Sequence, residues 1–130
     1  MEFPTLTLDE FRKAIKDVSQ FELEAKKDQQ RNFILRLVET NNELLDQLNT
    51  EISSDDKKLY TETINENKHH LIEQISRVES LNLELVARGL MRNEEKEKDE
   101  RNLLDEINTL DKSKNSLTQA KVEEEEGVML

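Results

Sequence analysis

Apolar side chains recur at alternating steps of three and four residues along two stretches of the chain, on either side of a short polar segment. The first stripe has five aliphatic residues among its eight positions: Leu23, Lys27, Gln30, Ile34, Leu37, Asn41, Leu44 and Leu48. The second stripe is also mostly apolar and consists of Tyr60, Ile64, Asn67, Leu71, Gln74, Val78, Leu81 and Leu85. This heptad spacing predicts two long α-helices that each bury one narrow stripe, so the predicted fold class is all-α.

Local signals predict where these helices begin and end. Residues 53–56 (Ser-Ser-Asp-Asp) combine N-cap residues with acids that suit a helix start, which puts a turn near residues 52–56. Gly89 is suited to a C-terminal stop. Two capping boxes, Thr7 with Glu10 and Ser19 with Glu22, predict a short first helix and a break before the first long one.

These signals divide the chain into three parts. Residues 1–18 form an N-terminal arm and a short helix, residues 19–90 form a helical hairpin, and residues 91–130 form a charged tail. Residues 92–101 are nearly all charged, which fits either an exposed helix or a disordered link. An amphipathic segment follows, made of Leu103, Leu104, Ile107 and Leu110. With an acidic run at 123–126, the tail is expected to be largely disordered.

Folding the two stripes back on each other about the polar segment pairs their residues in one register. Asn41 then meets Asn67 and Leu37 meets Leu71, and in every such pair the two residue numbers sum to 108. A short connection favours antiparallel neighbours. Two facing amides can hydrogen-bond each other, whereas an amide facing leucine stays unpaired at a cost of about 1–3 kcal/mol. We interpret Asn41 and Asn67 as register-setting residues; alternatively, either side chain reaches solvent from a thin seam.

One flank of such a hairpin remains apolar and unburied. It carries Val38, Leu45 and Ile52 from the first long helix and Ile75 from the second. Each aliphatic side chain left in water forgoes roughly 1.5–3 kcal/mol of burial, so another element should cover this flank. Either the short first helix folds over it, or a partner helix completes a bundle. The hairpin tip lies beyond the reach of the first helix, so the predicted partner-binding residues are Val38, Leu45, Ile52, Leu59, Tyr60 and Ile75.

Charge and composition then narrow the function. A formal net charge of −11 disfavours binding to nucleic acid, and the absence of cysteine excludes disulfides and thiolate chemistry. The two histidines, His69 and His70, are adjacent, whereas the helical metal-binding pattern has a four-residue spacing. Because the only glycines are Gly89 and Gly127, a glycine-rich phosphate loop is absent. We therefore expect a protein-binding module rather than an enzyme, with no cofactor and no metal.

The same sequence bears on where the protein acts. No apolar run approaches the roughly 20 residues that a membrane span needs. The N-terminal residues lack the basic flank and apolar stretch of a secretory signal. The expected location is the cytoplasm, the nucleus or both, without membrane contact.

Several of these residues resemble a known family. The runs DEFRKAI at residues 9–15 and SQFEL at 19–23 are similar to the start of the fungal stress-inducible proteasome assembly chaperone, of the translation-machinery-associated group. The similarity covers roughly residues 8–85 and continues, in order, at Asn41, Leu44, Leu59, Tyr60, Glu66, Asn67, Arg77, Val78 and Leu81. The resemblance implies a helical hairpin that assists assembly of the base of the proteasome regulatory particle. It also implies that the partner is the N-terminal coiled coil of an ATPase subunit.

Two other functions remain open at this point. A stable helical scaffold subunit of another complex, such as a chromatin-modifying or tethering complex, would have the same size, acidity and hairpin. A self-sufficient homodimer would also cover the apolar flank. Purification of the tagged protein distinguishes the three, because each predicts a different set of recovered chains.

Overall fold

The computed structural model describes residues 6–112, which form four α-helices and one turn of 3-10 helix. Helix α1 is Leu8–Ala14 and continues into the 3-10 turn Ile15–Asp17. Helix α2 is Gln20–Leu48, helix α3 is Ser54–Ala87 and helix α4 is Asn93–Leu110. Within residues 6–112 the structure contains no β-strand, which confirms the all-α fold class.

The predicted capping signals operate at the helix ends. The Thr7 side chain accepts a hydrogen bond from the backbone N–H of Glu10, and the Ser19 side chain accepts one from that of Glu22. Each glutamate reaches back to the N–H of its cap residue, so both capping boxes are complete. Ser53 caps α3 in the same way, although without a reciprocal partner. The turn spans residues 49–53, slightly earlier than the sequence predicted.

Gly89 ends α3 as predicted. Its φ of 76° is a left-handed conformation that glycine adopts without the steric cost of a Cβ. The N–H of Gly89 donates to the carbonyl of Val86 at 2.9 Å, and the N–H of Leu90 donates to that of Leu85 at 2.9 Å. These two bonds form a Schellman motif, which satisfies carbonyls left free at the end of the helix.

Helices α2 and α3 pack along each other as an antiparallel hairpin. Asn41 of α2 faces Asn67 of α3, which is the predicted register. Towards the centre of the hairpin, a core cluster joins Ile34 and Val38 to Leu71 and Val78. The hairpin prediction is therefore confirmed. Sequence periodicity sufficed here because both stripes follow the same heptad rule.

The short first helix closes the open end of the hairpin. Phe11 and Ile15 are buried against Leu23, Leu81 and Leu85. Arg77 lies over the Phe11 ring at 5.1 Å, and its guanidinium donates to the carbonyl of Leu6 at 2.8 Å. At the other end of the helix, the Arg88 guanidinium donates to the carbonyls of Ile15 and Lys16 at 3.2 and 3.1 Å. The first helix is thus fixed to α3 and does not cover Val38.

Residues 93–110 depart from the expectation of a largely disordered tail. They form α4, which packs against both α2 and α3 and buries Leu103 and Ile107. The charged run thus belongs to a helix, and the amphipathic segment supplies the side chains that attach it to the hairpin core. The acidic run at 123–126 lies outside the described residues.

Candidate protein-binding surface

The two asparagines of the seam form the predicted amide pair. The side-chain N–H of Asn67 donates to Asn41 Oδ1 at 2.9 Å. The side-chain N–H of Asn41 donates in turn to the backbone carbonyl of Ile64 at 3.3 Å. Asn41 is buried, so these bonds replace water that its amide has lost. The contact is as expected, and a register-setting role remains our interpretation of it.

Two of the six predicted partner-binding residues, Val38 and Ile75, belong to or border the core cluster that α4 helps to form. Val38 is only 3% exposed and belongs to the same core cluster as Leu103 and Ile107. Ile75 is partly buried against that cluster. In this structure a partner cannot reach Val38, because α4 packs on the same flank of the hairpin. The sequence left two candidates for covering this flank, the first helix or a partner, and α4 was neither of them.

Polar contacts align α4 along the hairpin. Asn82 of α3 is fully buried, and its side-chain N–H donates to Asp99 Oδ2 at 3.0 Å and to Glu100 Oε2 at 3.2 Å. Lys27 Nζ donates to Asn82 Oδ1 at 3.0 Å and lies 3.5 Å from Asp99 Oδ2. Arg31 pairs with Glu106. Because Lys27 and Asp99 are only partly exposed, their pair is less screened than an ordinary surface pair.

The end of α4 marks the end of this cover. The side chain of Asn42 donates to the carbonyl of Leu110 at 2.7 Å and accepts from the N–H of Lys112 at 2.9 Å. With Lys27 against Asp99 at the other end, α4 runs parallel to α2 and antiparallel to α3. Helix α4 therefore ends alongside Asn42.

The other four predicted residues, Leu45, Ile52, Leu59 and Tyr60, lie closer to the hairpin turn and are named here the tip surface. Leu59 is 55% exposed, and the other three are half-buried. Neither buried core cluster includes any of them. The tip surface is thus an apolar area that neither the first helix nor α4 covers in the described part of the chain.

Sequence reasoning missed the residues that dock α4. Lys27 was assigned to the seam, while Arg31, Asn82 and Asp99 had no role. A usable signal was present in the spacing of Leu103 and Ile107, which places both on one helical face. What the spacing could not show was that an amide on α3 would meet carboxylates 17 and 18 residues later.

The two histidines lie on the surface of α3. His69 and His70 are both exposed, and His70 pairs with Glu73 at 3.4 Å. Residues 6–112 contain no group of three His, Cys, Asp or Glu side chains that could hold a metal ion. Over the same residues, no helix combines the length and the apolar content needed to cross a bilayer.

Comparison with known proteins adds one match. The family model of the TMA17 helical domain matches residues 7–92, which span the first helix, the hairpin and the turn after it. No curated protein matches the chain. No solved structure matches it either. The matched residues stop immediately before α4.

Proposed function

This chain belongs to the TMA17 family, a non-catalytic family of proteasome assembly chaperones, and from that premise we propose a specific binding mode. It binds a coiled coil of an ATPase subunit while the base of the proteasome regulatory particle assembles. The tip surface makes the contact. We also propose that this protein is induced by stress, as are the fungal chaperones that it resembles, and that it is located in the cytoplasm or the nucleus.

The observation that carries the proposal is the uncovered tip surface. Leu45 and Ile52 continue the flank of Val38 beyond the point where α4 ends. Leu59 and Tyr60 add apolar area from the start of α3. A helix that lays an apolar stripe against these residues would bury them, gaining roughly 1.5–3 kcal/mol for each large aliphatic side chain that becomes fully buried.

The amide pair supports this role indirectly. Asn41 and Asn67 bond to each other, which leaves neither amide directed at a partner. By resisting a slip of the two helices, the pair keeps Leu45 and Tyr60 at a fixed relative height. We therefore assign Asn41 and Asn67 to the architecture of the surface rather than to the contact.

Affinity purification of the tagged full chain, followed by mass spectrometry, tests the proposal. We expect free ATPase subunits to be recovered without the mature proteasome, because a chaperone leaves when assembly is complete. Stoichiometric recovery within one stable complex of another kind would contradict the proposal and support a scaffold subunit. A doubled mass in solution with no other partner would support a homodimer.

A further inference from the structure

Helix α4 divides a continuous apolar flank into a covered and an uncovered half. Val38 lies in the covered half, in one core cluster with Leu103 and Ile107, and Ile75 is packed against that cluster. Leu45 and Ile52 lie in the uncovered half. On α2, Val38 and Leu45 are seven residues apart, so both lie on one face of the helix. A helix docked at the tip surface and extending along this face would meet the end of α4.

Helix α4 lies outside the residues that match the family model. The matched residues 7–92 include every element that builds the flank, and α4 begins at Asn93. The residues that match the family model therefore supply the whole flank, and α4, which covers part of it, follows the matched residues in this chain.

The contacts that hold α4 define what else could occupy its place. Asp99 and Glu106 meet Lys27 and Arg31, and Asp99 also accepts from the buried amide of Asn82. The apolar contribution is narrow, since only Leu103 and Ile107 of α4 are fully buried. The hairpin thus presents Lys27, Arg31 and the amide of Asn82 beside an apolar strip. This surface favours a helix that carries carboxylates along one edge of its own apolar stripe.

A short connection separates α4 from α3. The Schellman motif closes α3 at Ala87, and α4 starts afresh with its own capping contact between Arg92 and Glu95. Gly89 lies between them, and no atom lies within 4 Å of where its Cβ would be. The five residues 88–92 thus join two helices that are capped separately.

We propose that α4 is an intramolecular stand-in for the partner helix. It occupies the flank between Lys27 and Asn42 until an acidic amphipathic helix of the partner binds the tip surface and displaces it. The partner helix then extends over Val38 and Ile75 and places its own carboxylates against Lys27 and Arg31. This inference rests on the proposed function, because it describes how the same surface is regulated and what kind of helix it accepts.

The test compares the natural chain with a released form, a locked form and a control form in the same affinity purification. In the released form, Leu103→Glu with Ile107→Glu places charges where α4 meets the core cluster. In the locked form, Asp46→Cys with Lys112→Cys is bridged by a bismaleimide; the natural side chains pair at 3.3 Å and are exposed, and the chain has no cysteine of its own. The control is Asp46→Cys alone, treated with the same reagent.

We expect the released form to recover at least threefold more ATPase subunit than the natural chain, and the locked form at least threefold less. Equal recovery by all forms would overturn the α4 inference and leave the proposed function standing. Recovery by none of them would contradict the proposed function, and a direct binding assay then decides the inference.

That assay uses a fluorescent peptide of residues 93–110 as the probe. It should bind the released form at least tenfold more tightly than the locked form, and reversing Asp99 and Glu106 to lysine in the peptide should remove the difference. Equal binding to both forms would overturn the inference. If the released form lacks the helicity of the natural chain in circular dichroism, a second released form with Asp99→Lys and Glu106→Lys in the full chain takes its place.

Discussion

The side chains of Asn41 and Asn67 hydrogen-bond each other across the hairpin at 2.9 Å, 26 residues apart in sequence. Their pairing is a contact between two polar groups inside a seam that is otherwise mostly apolar. An amide in such a place stabilises the fold only while its partner is present, since an unpaired buried amide has lost its water.

Replacing Asn41 by leucine should lower the free energy of unfolding by about 1–3 kcal/mol, because Asn67 loses its acceptor and the carbonyl of Ile64 loses a donor. The double change of Asn41→Leu with Asn67→Leu should recover most of that loss, since two leucines pack against each other. Urea unfolding followed by circular dichroism measures both. Asn65→Leu on the exposed face of α3 is the matched control. Neutral single and double variants would show that the pair does not set the register.

Charged substitutions in the tip surface should remove partner binding without unfolding the chain. Leu45→Glu with Ile52→Glu places two carboxylates where we propose a partner helix buries aliphatic groups, so ATPase subunit recovery should fall at least tenfold. Far-UV circular dichroism should stay unchanged, because both side chains are only half-buried. The control pair, Ile72→Glu with Leu83→Glu, changes residues that are 46% and 54% exposed on α3, away from the turn. Equal loss in both pairs would remove the tip surface from consideration.

The buried amide of Asn82 should decide how firmly α4 is attached. Asn82→Ala leaves Lys27 without one acceptor and takes a donor from Asp99 and Glu100, so we expect a loss of about 1–3 kcal/mol in the free energy of unfolding. Hydrogen exchange should accelerate in α4 more than in the α2–α3 seam. Asn65→Ala, an exposed amide on the same helix, should leave exchange unchanged. Uniform acceleration over the whole chain would mean that α4 is not a separately attached element.

The contribution of Gly89 to stability should come from its left-handed backbone conformation, and not from a lack of space for a side chain at this turn. Gly89→Ala should lower the free energy of unfolding by about 1 kcal/mol, because a Cβ disfavours a φ of 76° although nothing lies within 4 Å. Gly89→Asn should cost less, since asparagine tolerates the left-handed region. Thermal melting ranks the three chains. An alanine variant as stable as the natural chain would contradict this explanation.

The helix ends and the hairpin register were predictable because each depends on signals close together in the sequence. A capping box needs a serine or threonine and a glutamate three residues later, as at Ser19 and Glu22, and both partners belong to one turn. The register needs only two stripes of equal phase and a short connection. The pairing of Asn41 with Asn67 then follows from counting residues out from the turn.

The position of α4 could not be obtained in this way. Leu103 and Ile107 show that residues 93–110 can form an amphipathic helix, but not which surface it covers. That choice depends on Asn82 and Lys27 meeting Asp99, a contact among three residues on three helices. For the same reason α4 was not among the elements expected to cover Val38, which is buried in one core cluster with Leu103 and Ile107.

The two long helices, their ends and the register in which they pair follow from the sequence pattern, because repeating apolar positions and local caps act within a turn or along one stripe. That α1 closes the open end of the hairpin and that α4 covers Val38 became evident only from the folded chain. Any helix with a suitable apolar strip gains free energy when it is buried on this flank, so burial alone does not select one helix. The selection comes from charge and amide contacts between residues that are distant in the chain.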